Sequence, residues 1–130
     1  MISKREIVNS YVKKCEEFNR PQNKSVYNYL EQQRIQQDKN LQARENAVDE
    51  EDMFFMDEDN NLDFIFMGND KYNFSSRIDD LDLMPVASVL EPHAIFIEHI
   101  DLRYNRITDT GAISISKVLR AAANLKTLNL

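Results

Sequence analysis

The strongest constraint on the fold of this chain is an apolar pattern that occurs twice near its carboxyl end. Its first copy uses Ile97, Ile100, Leu102, Asn105 and Ile107. The same spacing returns 28 residues later at Leu125, Leu128 and Leu130. A period of roughly 20–50 residues indicates units of one strand, one turn and one helix that bury their apolar faces on each other. The pattern therefore predicts an α/β fold and favours a binding scaffold over an enzyme.

An earlier and less regular copy of this unit is predicted before residue 97. Its strand and turn positions are Phe64, Phe66, Asn69 and Ile78. Its helix carries Leu83, Val86, Ala87 and Leu90, which correspond in order to Ala112, Ile115, Ser116 and Leu119. The turn asparagines Asn69 and Asn105 are 36 residues apart instead of 28, so we expect residues 70–77 to project as a loop. Asn105 is expected to satisfy backbone groups of its turn, and Gly111 to permit a tight helix start.

The amino-terminal residues predict a helical hairpin with a polar extension, residues 1–46. Ser3 and Glu6 fit a capping box at the start of a helix over residues 3–18. Its apolar stripe is Ile7, Tyr11, Cys15 and Phe18, with Val8 and Val12 beside it. Pro21 ends this helix, and a second one begins near Asn23. Residues 31–46 are rich in Gln, Asn and charge, and either extend the second helix or stay mobile.

Charge is distributed in blocks along the chain, although the net charge is only -6. Residues 45–101 hold sixteen acidic and two basic side chains, which argues against a continuous nucleic-acid surface, because phosphate binding needs concentrated positive charge. Residues 47–60 form an acidic linker. They are interpreted either as a plain connector or as an acidic and apolar docking segment, in which Phe54 and Phe55 insert into a partner.

No pattern in the sequence predicts catalysis, a cofactor or a metal. Cys15 is the only cysteine, which excludes a disulfide framework and suits a reducing compartment. His93 and His99 are the only histidines and lack zinc-ligand spacing. The calcium-like run that begins at Asp57 lacks the glycine and the final glutamate of such a loop. No apolar run has the length of a membrane span.

The segment Thr108-Asp109-Thr110-Gly111, which opens the second helix, and the short apolar strands resemble the ribonuclease-inhibitor class of leucine-rich repeats. The resemblance implies a solenoid with parallel strands on the concave side and helices on the convex side. It also implies protein contacts without enzymatic activity. The Tyr11 and Cys15 helix followed by Pro21 is similar to the helical cap of ciliary or centrosomal repeat proteins. It favours the cytoplasm, in a ciliary axoneme, with a nuclear or nucleolar assembly factor as the alternative.

Residues 61–130 are thus interpreted as leucine-rich repeats, and strand alternation identifies their concave face. The expected partner-binding residues on this face are Asp63, Ile65, Met67, His99, Asp101, Arg103, Thr127 and Asn129. Ile65 and Met67 are the more informative pair, because adjacent exposed apolar residues favour a protein contact. The charged members have an alternative interpretation as solvated side chains.

The repeat region is expected to be incomplete at its carboxyl end, because Leu125, Leu128 and Leu130 have no following helix to cover them. Either the natural protein is longer or a partner completes the solenoid, and the first explanation is favoured. Residues 1–130 alone are then expected to be poorly soluble or partly unfolded.

Overall fold

The computed structural model describes residues 3–45, 62–68 and 77–130. Three predictions lie outside these residues: the acidic linker with Phe54 and Phe55, the turn residue Asn69, and the projecting loop up to residue 76. The described chain runs through α1 (Lys4–Glu17), α2 (Lys24–Glu45), β1 (Leu62–Ile65), α3 (Asp80–Leu90), a 3₁₀ helix (Glu91–Phe96), β2 (Ile97–Asp101), α4 (Asp109–Ala121) and β3 (Thr127–Asn129).

The three described strands form one parallel sheet in the order β1-β2-β3. Phe64 pairs with Ile100, and Ile100 pairs with Leu128, so residues aligned by the sequence pattern are neighbours across the sheet. The register shifts between Leu62 and Phe64 of β1, which pair with residues three apart in β2. This irregularity explains why Ile97 and Ile100 are both fully buried, although they are three positions apart and would lie on opposite faces of a regular strand. The predicted α/β class with parallel strands is confirmed.

The core lies between one face of the sheet and the helices. Phe64 and Phe66 of the first unit and Ile100 and Leu102 of the second are almost completely buried. Helix α3 contacts both α1 and α4, which places it in the middle of the helical layer. Because both of its sides are covered, α3 buries six of its eleven residues, while α4 buries three of thirteen.

The predicted helical hairpin is present. The Ser3 hydroxyl accepts a hydrogen bond from the Glu6 amide at 3.3 Å and caps α1, while Asn19 ends it in a left-handed conformation with φ 54°. The polar residues after Glu31 extend α2 to Glu45. The Lys4 amide at the start of α1 donates to the Gln37 side chain of α2 at 2.8 Å, so the polar extension helps to fix the hairpin.

The prediction that Phe18 belongs to the buried apolar stripe of α1 is wrong. Ile7, Tyr11 and Cys15 are buried, but Phe18 is 36% exposed. The helix ends at Glu17, so the helical spacing no longer determines the direction of the Phe18 side chain. Phe18 instead lines a shallow surface groove of about 120 Å³ with Met84 of α3 and Lys117 of α4.

Helix α2 covers the outer edge of β1. The Tyr29 hydroxyl donates to the Asp63 carbonyl at 3.0 Å and accepts from the Ile65 amide at 3.1 Å. Gln33 donates to the same Asp63 carbonyl at 3.2 Å. The Tyr29 ring meets Phe64 edge to face at 5.4 Å, and burial raises the pKa of its hydroxyl. The polar groups that an edge strand normally leaves unpaired are therefore bound by side chains of the hairpin.

Asp80 of α3 caps the following helix. Its carboxylate accepts from the Thr108 amide at 2.7 Å, from the Thr108 hydroxyl, and from the Gly111 amide at 3.1 Å. Thr108 is the N-cap residue of α4, yet its own side chain makes no capping bond. The free amides at the start of α4 thus depend on an aspartate of the preceding unit, and these bonds hold the pKa of Asp80 below its usual value.

We expect Tyr29→Phe to lower the free energy of unfolding by about 1–3 kcal/mol, because it leaves the Asp63 carbonyl and the Ile65 amide with weaker partners. Tyr27→Phe is the matched control, since the half-buried Tyr27 hydroxyl has no hydrogen bond among the described residues. Urea denaturation followed by circular dichroism measures both. Equal losses for the two variants would contradict the edge-covering role of Tyr29.

We expect Gly111→Ala to lower the free energy of unfolding by roughly 1–3 kcal/mol. The new Cβ would collide with the Asp80 carboxylate and lie 2.7 Å from Cγ2 of Ile107. Because part of this effect acts through Asp80, the same substitution should cost less in an Asp80→Ala background. A double-mutant cycle by urea denaturation measures the difference, and strict additivity would show that Asp80 is not involved.

Candidate partner-binding face of the sheet

The sheet has one face against the helices and one face without a helical layer among the described residues. All eight partner-binding residues predicted within residues 61–130 belong to the second face or to its edges. Ile65, Asp101 and Asn129 form one row across the three strands, and His99 pairs with Thr127 in the row before it. The structure therefore brings residues from distant parts of the sequence onto one surface, as alternation predicts.

Ile65 is the most exposed apolar residue of this face in β1. Its relative exposure is 44%, whereas its neighbours Phe64 and Phe66 are buried. Met67 is half-buried two residues further on, and its sulfur lies 3.5 Å from an Arg103 guanidinium nitrogen. Ile65 and Met67 thus form an apolar strip, which ends at the cationic side chain of Arg103.

Asp101 and Arg103 form a tight pair beside this strip. The Arg103 guanidinium donates from Nε to Oδ1 at 3.0 Å and from Nη2 to Oδ2 at 2.8 Å, which is the bidentate geometry of a strong ion pair. The Arg103 amide also donates to Oδ1 at 3.2 Å. These bonds from Arg103 lower the pKa of Asp101 and raise that of Arg103. The Asp101 side chain is only 12% exposed and the Arg103 side chain 47%, so Asp101 orients the arginine and Arg103 meets the solvent.

His99 joins the last two strands of the face. Its Nδ1 lies 2.7 Å from the Thr127 hydroxyl. The neighbouring Glu98 forms an ion pair with Lys126, in which Nζ of Lys126 lies 2.9 Å from Oε2 of Glu98. Thr127 and Asn129 are exposed, so the β3 side of the face is polar and accessible.

Asp63 lies at the β1 edge of the face, where its carbonyl binds the Tyr29 and Gln33 side chains. It is half-buried, and its Oδ1 and the Gln33 Oε1 are both buried and find no hydrogen-bond partner within the part of the chain that the structure describes. Asp63 therefore presents less accessible surface than Ile65 or Arg103.

Sequence reasoning did not identify several residues that shape this face. Tyr29 and Gln33 border it from α2, and Glu98 and Lys126 add an ion pair. Strand alternation alone does not separate the exposed Arg103 from the buried Asp101. The two-residue spacing of opposite charges, Asp101 and Arg103, is the signal that could have predicted their ion pair.

The described ranges contain no cluster of three His, Cys, Asp or Glu side chains that could hold a metal ion. Of the helices in these ranges, none combines the length and the apolar character needed to cross a bilayer.

Comparison with known proteins gave no match to a protein-family model, to a curated protein or to a solved structure.

The carboxyl group of Asp101 should titrate below its usual pKa of about 3.9, and Arg103→Met should move its pKa upward, because two of its three donors are lost. Carboxyl ¹³C NMR measures this directly. Arg106→Met is the control and should leave the Asp101 pKa unchanged. Folding lowers the pKa of Asp101, so the ion pair stabilises the protein fully at pH values above the pKa that this carboxyl group has in the unfolded chain. The stabilisation is lost as pH falls from that value through the lower pKa of the folded state.

Proposed function

We propose that this protein is a leucine-rich repeat protein of the ribonuclease-inhibitor class and acts as a non-enzymatic scaffold for protein–protein contacts. The repeated strand and helix pattern supports the class, together with the parallel pairing of residues aligned by that pattern. The covering of β1 by α2 supports a capping role for the hairpin. Within the class, two stretches resemble the opening repeats of leucine-rich repeat-containing protein 34 together with the long first turn: Ile78 to Leu90, and Ile97 to Asn105 with the following Gly111-Ala112.

A single observation carries the scaffold function: a parallel sheet with one accessible face. Parallel sheets are ordinarily covered on both faces. Here Ile65 is 44% exposed and the Arg103 side chain 47% exposed on the face opposite the core. An apolar strip beside an oriented arginine is a combination that protein interfaces favour, since Met and Arg are enriched at interfaces and Arg is among the residues that contribute most to binding when water is excluded.

The proposed contact is centred on Ile65, Met67 and Arg103. His99, Thr127 and Asn129 extend it toward β3, and Asp101 holds Arg103 in position. The buried location of Asp101 makes it a positioning residue in this proposal and not a direct contact. Phe54 and Phe55 remain a proposed second contact.

The proposed setting is a larger assembly such as a ciliary axoneme, for which the resemblance of the amino-terminal helix and the repeats is the support. The alternative is a nuclear or nucleolar assembly factor that binds basic proteins through its acidic segment, for which the acidic balance of residues 45–101 is the support.

We expect Ile65→Asp to remove the partner, because the aspartate carboxylate would have to be desolvated at the centre of the apolar strip. Ile113→Asp is the matched control: Ile113 is 65% exposed but lies on α4, away from this face. Tagged full chains would be purified from cells, and each partner quantified by mass spectrometry. A partner lost at least tenfold with Ile65→Asp and retained with Ile113→Asp supports the proposal, whereas equal retention with both contradicts it.

The salt dependence of partner binding distinguishes the ciliary scaffold from the nuclear or nucleolar assembly factor in the same experiment. Binding through the acidic segment should weaken sharply above about 0.3 M salt, because charges are then screened within a few Å. Contact through the apolar strip should persist at that salt concentration. Loss of the partner with salt but not with Ile65→Asp would favour the assembly-factor alternative.

A further inference from the structure

Tyr104 lies in the turn between β2 and α4, in a backbone conformation that tyrosine rarely adopts. Its φ is 64°, in the left-handed region, where asparagine, aspartate and histidine are enriched and a bulky residue is an outlier. Within the described ranges, the other non-glycine residue with a positive φ is Asn19, which belongs to a residue type that suits this region. The left-handed conformation costs about 1–2 kcal/mol for an ordinary residue, so the position favours asparagine or glycine over tyrosine.

Burial does not offset this cost, because Tyr104 is 58% exposed and its hydroxyl has no hydrogen bond within the part of the chain that the structure describes. The backbone of Tyr104 makes the structural contact instead. Its carbonyl packs so closely on Gly68 that a Cβ at position 68 would collide with the carbonyl oxygen. Asparagine or glycine at position 104 would keep that contact. The fold therefore requires the backbone conformation of residue 104 but not its aromatic ring.

The packing of this turn on the end of the first unit's strand segment brings arginines close to Tyr104. Arg103 precedes it, and the Arg103 carbonyl accepts a hydrogen bond from the Gly68 amide at 2.9 Å. The carbonyl of Gly68 in turn accepts from Nε of Arg77 at 3.1 Å. Arg106 lies two positions after Tyr104 in the same turn and is exposed. These hydrogen bonds place Arg77, which comes from the segment before α3, beside the turn that carries the other two arginines.

Three acidic side chains near this turn are engaged by other groups. Asp101 is held by Arg103 in the bidentate pair, Asp79 caps α3, and Asp80 caps α4. Arg106, by contrast, has no side-chain hydrogen bond or ion pair within residues 3–45, 62–68 and 77–130. Its positive charge therefore lacks an acidic partner in these ranges and lies next to an exposed aromatic ring.

We propose that Arg77, Tyr104 and Arg106 form a binding site for a short acidic segment of a partner protein. Carboxylates of this segment bind the guanidinium groups, for which bidentate geometry is available, and its side chains pack on the Tyr104 ring. Tyrosine and arginine are among the residue types that contribute most to protein interfaces. A role in binding is a physical reason for tyrosine at a position that strains its backbone. The site uses neither Ile65 nor Met67 and goes beyond the scaffold contact proposed above.

A nucleic acid fits this site less well than an acidic peptide does. Phosphodiester binding needs concentrated positive charge along the whole contact. Here Asp79 lies beside Arg106 in a bridge between the two segments, and Asp101 is paired with Arg103, so the arginines are interrupted by acidic groups. A segment with a few carboxylates needs only the local charge of the turn.

The test measures binding of fluorescein-labelled hexaglutamate to the full chain by fluorescence anisotropy, at about 50 mM salt so that screening remains weak. We expect Tyr104→Asn to weaken this binding at least about fivefold, because the ring is lost. Because asparagine accepts the left-handed region, the same substitution should raise the melting temperature by about 2 °C or more, measured by circular dichroism. Tyr104→Phe keeps the ring and should preserve both values.

Arg106→Gln tests the charge at this turn and should weaken hexaglutamate binding at least about threefold. Arg120→Gln is the matched control. It removes the same charge from an exposed arginine in the last turn of α4, at the opposite end of that helix from the proposed site, and should leave binding unchanged.

A lower melting temperature for Tyr104→Asn would show that the ring serves the fold and would overturn the proposal. Absence of hexaglutamate binding, or equal losses for Arg106→Gln and Arg120→Gln, would overturn it as well. Tighter binding of a fluorescein-labelled oligothymidylate of equal charge than of hexaglutamate would overturn it in favour of a nucleic acid. These measurements do not involve Ile65, so they distinguish failure of this site from failure of the proposed scaffold function.

Discussion

The fold depends on how the chain satisfies its backbone where the parallel strands end, and Asn105 makes the central contribution. Its side-chain amide donates to the Phe66 carbonyl at 2.6 Å and to the Leu102 carbonyl at 3.0 Å. Its side-chain oxygen accepts from the Ile78 amide at 2.9 Å. One side chain thus joins the end of the first strand, the end of the second and the segment that leads into α3. Without it, three buried or half-buried backbone groups of two units would need other partners.

The same requirement, that backbone groups find hydrogen-bond partners, also explains the contacts of Tyr29 and Asp80. The Tyr29 hydroxyl binds the backbone of β1 at the edge of the sheet, and the Asp80 carboxylate caps α4 by binding the amides at its amino end. In each case a side chain from one unit satisfies the backbone of its neighbour. The units are therefore held together by directed hydrogen bonds as well as by apolar packing, and the directed bonds fix which strand can lie next to which helix.

The sequence predicted the parts of the fold that follow from periodicity. The 28-residue spacing predicted which strand residues lie side by side, and the structural role of Asn105 followed from its place in the turn; both predictions are confirmed. Helical spacing predicted the buried side of α1 but failed at Phe18, because periodicity ends where the helix ends. The sequence left two alternatives open for residues 31–46, and the course of α2 up to Glu45 corresponds to the first of them, an extension of the second helix.

The remaining features depend on contacts between residues far apart in the chain. Nothing local marks Tyr29 as the residue that binds β1, since 34 residues separate it from Asp63. Strand alternation placed Asp101 and Arg103 on the same face, but only their packing shows that one is buried and the other exposed. The shifted register between β1 and β2 arises from the pairing itself and leaves no separate signal in either strand.

The unequal burial of the three strands has a consequence for the dynamics of the binding face. Residues of β1 are fixed by the hairpin and the core, while every residue of β3 is exposed. Local opening is easiest where few buried contacts oppose it, so β3 should exchange its amide hydrogens fastest and β1 slowest. A ligand spread across all three strands would find Ile65 already ordered but would lose binding free energy in ordering Thr127 and Asn129. The face is thus preorganised at one side and adaptable at the other.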